Sequence, residues 1–410
     1  MLRGSAMPEF PRAILFEEAR AILARVAAAH RLPQELLALA RCHGRVLAQD
    51  INAPIALQPF DNSAMDGYAC RHVDLGEDHT AVLLLVGEQY AGRALGLRVG
   101  AGECVRITTG APMPEGADTV VIREDVQVDG QRILIPPGIR QGAHLRKAGE
   151  DAQAGDLVLR AGTALNAVQV SLAASLGIDR LPVSARPTVA VFTSGDELVE
   201  PGLLLQPGEI YNSNRELLMG LLRADGLEPT AWPSLPDDPA QIAAMLGDAA
   251  SSFDVVITCG AVSAGEKDHI PAALQAQGTV HFWKVQMKPG MPLLAGQLGR
   301  AQFLGLPGNP VSVLATWLTL GRVLVDGLQG RAARPRGYAR LHADLEKSHL
   351  RREFMRGTLR CDEAGVQWIA PSDATGSHRL RAAAQTDALL VLAEGAQVLR
   401  AGDPVEVLTF

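Results

Sequence analysis

Cysteine, lysine and long apolar runs are all scarce in this chain, and each scarcity excludes something. The five cysteines, Cys42, Cys70, Cys104, Cys259 and Cys361, lie far apart with no CxxC spacing, so neither a zinc knuckle nor a dithiol redox couple is encoded. They read as reduced thiols, and the expected location is cytoplasmic. The longest uncharged apolar run, around 311–321, is too short to span a bilayer. The first residues lack the basic start and apolar stretch of a signal peptide, so no membrane is expected. Acidic side chains outnumber basic ones, 45 to 38, for a formal net charge of -7. Without a basic tail, the chain has no electrostatic footprint for duplex nucleic acid. The ten histidines show no HExxH spacing and no serine sits in a GxSxG elbow, which leaves zinc hydrolysis and serine esterase chemistry without support.

What is present is a large apolar fraction, 47% of 410 residues, enough for about three domains at roughly 150 residues each. The 41 glycines and 25 prolines follow no period, so many short elements and turns are expected. The five lysines are Lys147, Lys267, Lys284, Lys288 and Lys347, against 33 arginines. Lysine is a compact point charge suited to phosphate, and three of the five fall within 267–288. That cluster is a candidate anion site, with Lys347 outside it.

Apolar spacing predicts a helix over 12–30 and a second from Pro33 through Leu39. These form a helical, linking domain of residues 10–49 and 146–184, interrupted by a β-rich insert over 50–145. Residues 185–330 alternate strand-like runs with helices, as in PTVAVFT, DVVITC and FLGLPGNP. This rhythm predicts a doubly wound α/β domain with a mostly parallel sheet. Beyond a Pro-containing linker at 331–337, short alternating segments over 331–410 predict a small C-terminal β-barrel. The fold class is therefore multidomain α/β plus β.

Ligands of doubly wound domains bind outside the carboxyl ends of the strands, which directs attention to three loops. TSGDEL at 193–198 offers a glycine, hydroxyls and the carboxylates Asp196 and Glu197, suited to phosphate and a divalent cation or to a plain turn. CGAVSAGEKDH at 259–269 combines glycines with Ser263, Glu266, Lys267 and Asp268 ahead of a helix N-terminus; a capped surface turn has the same composition. LPGNPVS at 306–312 has two prolines fixing the backbone before a helix. In KVQMKPG at 284–290, a continuous strand would point Lys284 and Lys288 to one face. In the insert, Asp61 and Asp66 of FDNSAMDGYA read as metal ligands or turn formers.

Taken together, DNSAMDGYA, TGAPMPEGAD, GED at 149–151, SGDEL, PDDP at 236–239, GEKD, KxxxKPG and LPGNPVS resemble the MoeA-type molybdopterin molybdenumtransferases, the family that includes the E domain of gephyrin. The resemblance covers nearly the whole chain. It implies an enzyme that takes adenylylated molybdopterin and molybdate and, with magnesium, inserts molybdenum into the dithiolene while AMP is released. It also implies a molybdopterin-binding α/β domain and a homodimer with active sites shared between subunits. Matching motif positions are Asp61, Thr109, Asp151, Glu197, Asp237, Asp268, Lys284, Lys288, Pro307 and Pro310. By charge, Lys284 and Lys288 would hold phosphates or molybdate, whereas Asp61, Glu197 and Asp268 would position magnesium or an attacking oxygen. RREFMR at 351–356 and SHRL at 377–380 are similar to family segments that put Arg351 and Ser377 near molybdate.

Two departures stand out: Cys-Gly-Ala where Gly-Gly is common, and His269 where a tyrosine is typical. If position 261 requires a positive φ, alanine there costs about 1 kcal/mol. Two other functions compete. A molybdopterin adenylyltransferase shares the α/β domain but does not call for the insert or barrel, and could instead be the partner that delivers substrate. A gephyrin-like binding scaffold would not need the charged loop residues.

Overall fold

The computed structural model describes residues 10–262 and 268–410. Its centre is a seven-stranded sheet in the order Arg12–Ile14, Gly278–Val285, Leu294–Leu298, Ala301–Leu306, Val255–Cys259, Val189–Thr193, Pro229–Ala231. Leu294–Leu298 runs antiparallel to both neighbours, and every other pairing is parallel. Val189–Thr193 and Val255–Cys259 are buried at every position, the pattern of central strands covered on both faces. One face packs Phe16, Leu218, Leu222 and Trp317; the other packs Phe192, Ile242, Leu246 and Ile270. Helices Ser213–Ala224 and Pro239–Ser252 start where Asn212 and Asp238 cap them, each side chain accepting a backbone N–H three residues on. The doubly wound domain expected from the sequence is thus present.

The helix Pro310–Leu328 has the length and apolarity of a membrane span, with 19 residues and a mean hydropathy of 1.4, but 78% of it is buried inside the protein. It is a core helix, longer than the uncharged run around 311–321 suggests.

Two expectations fail near the N-terminus. Residues 12–30 are not one helix: Arg12–Ile14 joins the edge of the central sheet beside Gly278–Val285, and the helix is Phe16–Ala29. Phe16, Leu23 and Ala27 pack into the α/β core, so this segment does not belong to the linking domain expected over 10–49. The second helix, from Pro33 through Leu39, is instead the strand Gln34–Ala38, paired antiparallel with Arg180–Ser184. Leu36 is 58% exposed and Leu37 8%, a strand alternation that a short apolar run hides in a helical spacing.

The insert folds as a six-stranded sheet in the order Thr119–Ile122, Gly67–Cys70, Glu103–Ile107, Ala81–Gln89, Arg132–Ile135, Gln127–Asp129. Gly67 is required there, since a Cβ would lie 2.0 Å from the Val121 carbonyl oxygen. At the C-terminus, Gly337–Leu341, Arg352–Cys361, Gln367–Pro371, Ala388–Leu392 and Pro404–Thr409 pair in a closed ring. This is the expected small barrel. Among its links to the α/β domain, two stand out. Arg334 of the linker bonds Asp326 at 2.7 Å and the buried Asp225 at 2.9 Å. Met287–Lys288 runs parallel beside Arg352 and Glu353, so an α/β segment extends the barrel sheet.

Candidate functional site

Two cavities open side by side at the carboxyl ends of the parallel strands, sharing Pro292, Pro307 and Asn309. The larger, about 630 Å³, is lined by Ser194, Glu197, Asn212, Gly260, Ala261 and Pro310 among others. Its volume suits a ligand of cofactor size. Its walls follow from backbone sterics. Gly195 has φ +132, and a Cβ there would sit 2.3 Å from the Glu197 carboxylate; Gly260 has φ +100, and a Cβ would sit 2.7 Å from Ser194 Oγ. Both turns therefore need glycine to stay tight. Asn214 Nδ2 donates to the Gly308 carbonyl at 2.6 Å and Asn212 Nδ2 to Thr193 Oγ1 at 2.8 Å, linking the 193–198 and 306–312 loops through the start of the helix Ser213–Ala224. Ala261 has φ +51, so the position does adopt the left-handed conformation.

The smaller cavity, about 270 Å³, lies between the α/β domain and the barrel. Lys288 comes from the first, and Arg351, Glu353, Arg356 and Ser377 come from the second. Arg356 is only 3% exposed. It donates to the carbonyls of Arg379 at 2.8 Å and Gly376 at 3.2 Å, which shapes the loop bearing Ser377. Asn309 Nδ2 donates to Ser377 Oγ at 3.0 Å, so the two cavities meet at a shared polar contact. Several cations converging on a small volume favour a compact oxyanion.

The sequence-derived residues divide accordingly. Lys288, Pro307, Arg351 and Ser377 reach the smaller cavity, and Glu197, Pro307 and Pro310 the larger. Lys284 takes φ +70 within the strand Gly278–Val285, which stops before Lys288, so the uninterrupted strand expected to aim both lysines alike is absent. Lys284 Nζ instead lies 5.0 Å from the Trp283 ring centroid. Asp61, Thr109 and Asp151 line neither cavity. Asp61 accepts from the Ala148 amide at 2.8 Å and from Lys147 Nζ at 3.0 Å; that amide first, and then the lysine, hold its carboxyl below the usual range. Thr109 donates its amide and its hydroxyl to Asp66, which ties the 108–118 loop to the 60–69 loop. The Asp237 amide donates to Asp196 at 3.3 Å, and Asp268 stands just before the helix Ile270–Gln277. Ser263 lies outside the described residues.

Among the described residues, no group of three or more His, Cys, Asp or Glu side chains is disposed to hold a metal ion. Asp61, Glu197 and Asp268 therefore do not form a three-carboxylate magnesium site within one chain. Sequence reasoning does not single out Asn309, Glu353 and Arg356. The available signal is the strand RREFMR itself, in which charged residues occupy positions that the barrel buries.

Three family models match the chain in succession: the MoeA N-terminal region (domain I and II) at residues 14–177, a probable molybdopterin binding domain at 190–326, and the MoeA C-terminal region (domain IV) at 338–410. A molybdopterin molybdenumtransferase of Haemophilus influenzae is 37% identical over 380 residues, covering 92% of this chain and 94% of that protein. One from a Nostoc species is 33% identical over 387 residues, covering 91% and 88%. The crystal structure of the molybdopterin biosynthesis moeA protein from Pyrococcus horikoshii superposes with a TM-score of 0.84 at 28% identity, covering 97% of this chain and 100% of that one. With its three regions matched in order along nearly its full length, this chain belongs to the MoeA family.

Proposed function

We propose that this chain is a molybdopterin molybdenumtransferase that inserts molybdenum from molybdate into adenylylated molybdopterin and releases AMP. The observation that carries the reading is the pairing of cavities: a small one rich in cations opens beside a larger one built on glycine turns, and Asn309 and Pro307 line both. A tetrahedral oxyanion suits the first, and a bulky pterin with its phosphates suits the second. Lys288, Arg351 and Arg356 hold the oxyanion by charge, with Ser377 and Asn309 orienting it. Breaking the substrate's phosphoanhydride builds negative charge, which positive groups near the phosphates neutralise.

Magnesium dependence belongs to this reading. Magnesium is usually held by one or two carboxylates together with substrate phosphates, so Glu197 beside the larger cavity fits without a three-ligand protein cluster. When bound, the ion would supply charge neutralisation at the phosphates. A homodimer with shared sites is a further part of the reading, and it is supported by Asp61, Thr109 and Asp151 lining neither cavity of their own chain. A cytoplasmic location suits five free thiols, and an adenylylation of molybdopterin must supply the substrate. The test is AMP release by the pure protein from adenylylated molybdopterin. Release that depends on molybdate supports the assignment; ATP-dependent adenylylation with no molybdate-dependent step, or no turnover at all, refutes it.

A further inference from the structure

The smaller cavity contains a negative group that an anion site does not obviously need. Glu353 is 5% exposed and lines the cavity beside Lys288, Arg351 and Arg356. Its Oε1 lies 2.9 Å from Lys288 Nζ and its Oε2 lies 2.9 Å from His349 Nε2. Lys288 and Glu353 are also direct partners in the parallel pairing that joins Met287–Lys288 to the barrel strand. Backbone register and side-chain contact thus fix the same lysine twice. The Lys288 side chain is 36% exposed while that of Glu353 is 6% exposed, so of the two cavity-lining partners the carboxylate is the buried anchor and the lysine the more open group. His349 is itself braced, because buried Lys347 donates to the His349 carbonyl at 2.8 Å and to that of Gly395.

We infer that Glu353 is a positioning residue for the oxyanion site: gripping Lys288 through one oxygen and His349 through the other, it fixes the ammonium where the tetrahedral anion binds. This rests on the assignment of the smaller cavity to molybdate. A lysine stem has four rotatable carbons and loses much freedom when held at one point. A carboxylate that removes this freedom before the anion arrives lowers the cost of binding. Glu353 also joins a lysine of the α/β domain to a barrel strand, so the cavity keeps its shape only while both domains are docked.

The variants E353A and E353Q separate positioning from other roles. In E353Q an amide oxygen still accepts from Lys288, and the amide nitrogen can donate to a neutral His349. In E353A both contacts vanish. Losing an outer partner that orients a ligand group typically costs about 10- to 100-fold, so E353A should raise the KM for molybdate by that factor. Its kcat and its KM for adenylylated molybdopterin should change by less than about threefold, and E353Q should recover most of the loss. Equilibrium dialysis with molybdate alone should show the same order without turnover. Wild-type affinity in both variants, tighter binding in both, or equal loss for both substrates would overturn the inference. Should E353A fail to fold, H349A reports instead: it should raise the same KM by about threefold, and an unchanged value overturns the proposal. A wild-type protein that retains no molybdate removes the functional assignment as well. Retention by wild type, loss in K288A and no effect in E353A removes this inference alone.

Discussion

The two adjoining cavities are built by opposite means. The larger is a product of backbone: Gly195 and Gly260 hold turns at φ +132 and +100 that L side chains rarely adopt, and Glu197 is the single acidic side chain among the described residues that line it. The smaller is a product of side chains, with Lys288, Arg351, Glu353 and Arg356 converging from two domains. Backbone amides present fixed partial charges that suit phosphates and an extended ligand, whereas convergent cations suit a small, fully charged oxyanion. The difference teaches where each site is vulnerable: the first to any change of turn geometry, the second to the loss of one charge.

The largest effect should therefore come from the smaller cavity. Lys288→Ala removes a cation paired with a buried carboxylate, a change of about 2 to 5 kcal/mol in comparable buried pairs, and molybdate retention in equilibrium dialysis should collapse. Lys347→Ala, a natural control because the residue falls outside the lysine cluster, is unsuitable. Lys347 is 3% exposed and bonded to two barrel carbonyls, and burial pushes its pKa down. The exposed Arg300 in the turn before Ala301–Leu306 serves instead, and Arg300→Ala should leave retention unchanged. Equal, small effects at Lys288 and Arg300 would erase the contrast between the cavities.

Next in size is an effect of assembly. Asp61→Ala and Lys288→Ala chains should each be nearly inactive alone. If Asp61 serves the partner's cavities, every mixed dimer has one intact and one doubly damaged site. Random mixing then restores about one quarter of wild-type activity. A site confined to one chain restores nothing, and mass spectrometry must confirm subunit exchange in either case.

A smaller effect belongs to the backbone-built cavity. Ala261 has φ +51, where an L side chain is strained by about 1 kcal/mol relative to glycine. Ala261→Gly should therefore stabilise the protein by about that amount, raising the unfolding temperature of the α/β unit by about 2–4 °C. Gly260→Ala should do the reverse and more, because its Cβ would meet Ser194 Oγ at 2.7 Å and the Ser194 carbonyl oxygen at 3.0 Å. A neutral result at both positions would mean that turn geometry does not govern this wall.

The contrast also explains what the sequence reveals and what it hides. Glycine turns after apolar strands are contiguous strings, so 193–197, 259–268 and 305–310 are legible as one ligand-binding edge from the order of residues alone. Lys288 is legible from lysine clustering. Glu353 and Arg356 are not, because their meaning depends on a strand pairing between Lys288 and Glu353, 65 residues apart. Lys284 misleads for a related reason: its φ of +70 breaks the alternation that an unbroken strand would impose, and nothing in its neighbours marks the break. The swap of helix for strand at Gln34–Ala38 has the same origin, since its partner is Arg180–Ser184 far along the chain.

The smallest effect tests whether the larger cavity is as poor in charge as its lining suggests. Cys259 lies at the end of a central strand, borders that cavity and is 2% exposed. Burial pushes its thiol pKa up to about 12, so at pH 8 the thiolate is scarce. The thiolate is the form that reacts with alkylating agents. Cys42, Cys70 and Cys104 are buried as well, and Cys361 is exposed. Brief native treatment with iodoacetamide at pH 8 should add one label per chain, at Cys361, with full labelling only after denaturation. Saturating adenylylated molybdopterin should leave this pattern unchanged, because Cys259 is protected by its neighbours and not by ligand. Rapid labelling of Cys259 in the free protein, suppressed by that substrate, would mean that the wall opens and can carry charge, and the division between a backbone-built and a charge-built cavity would fail.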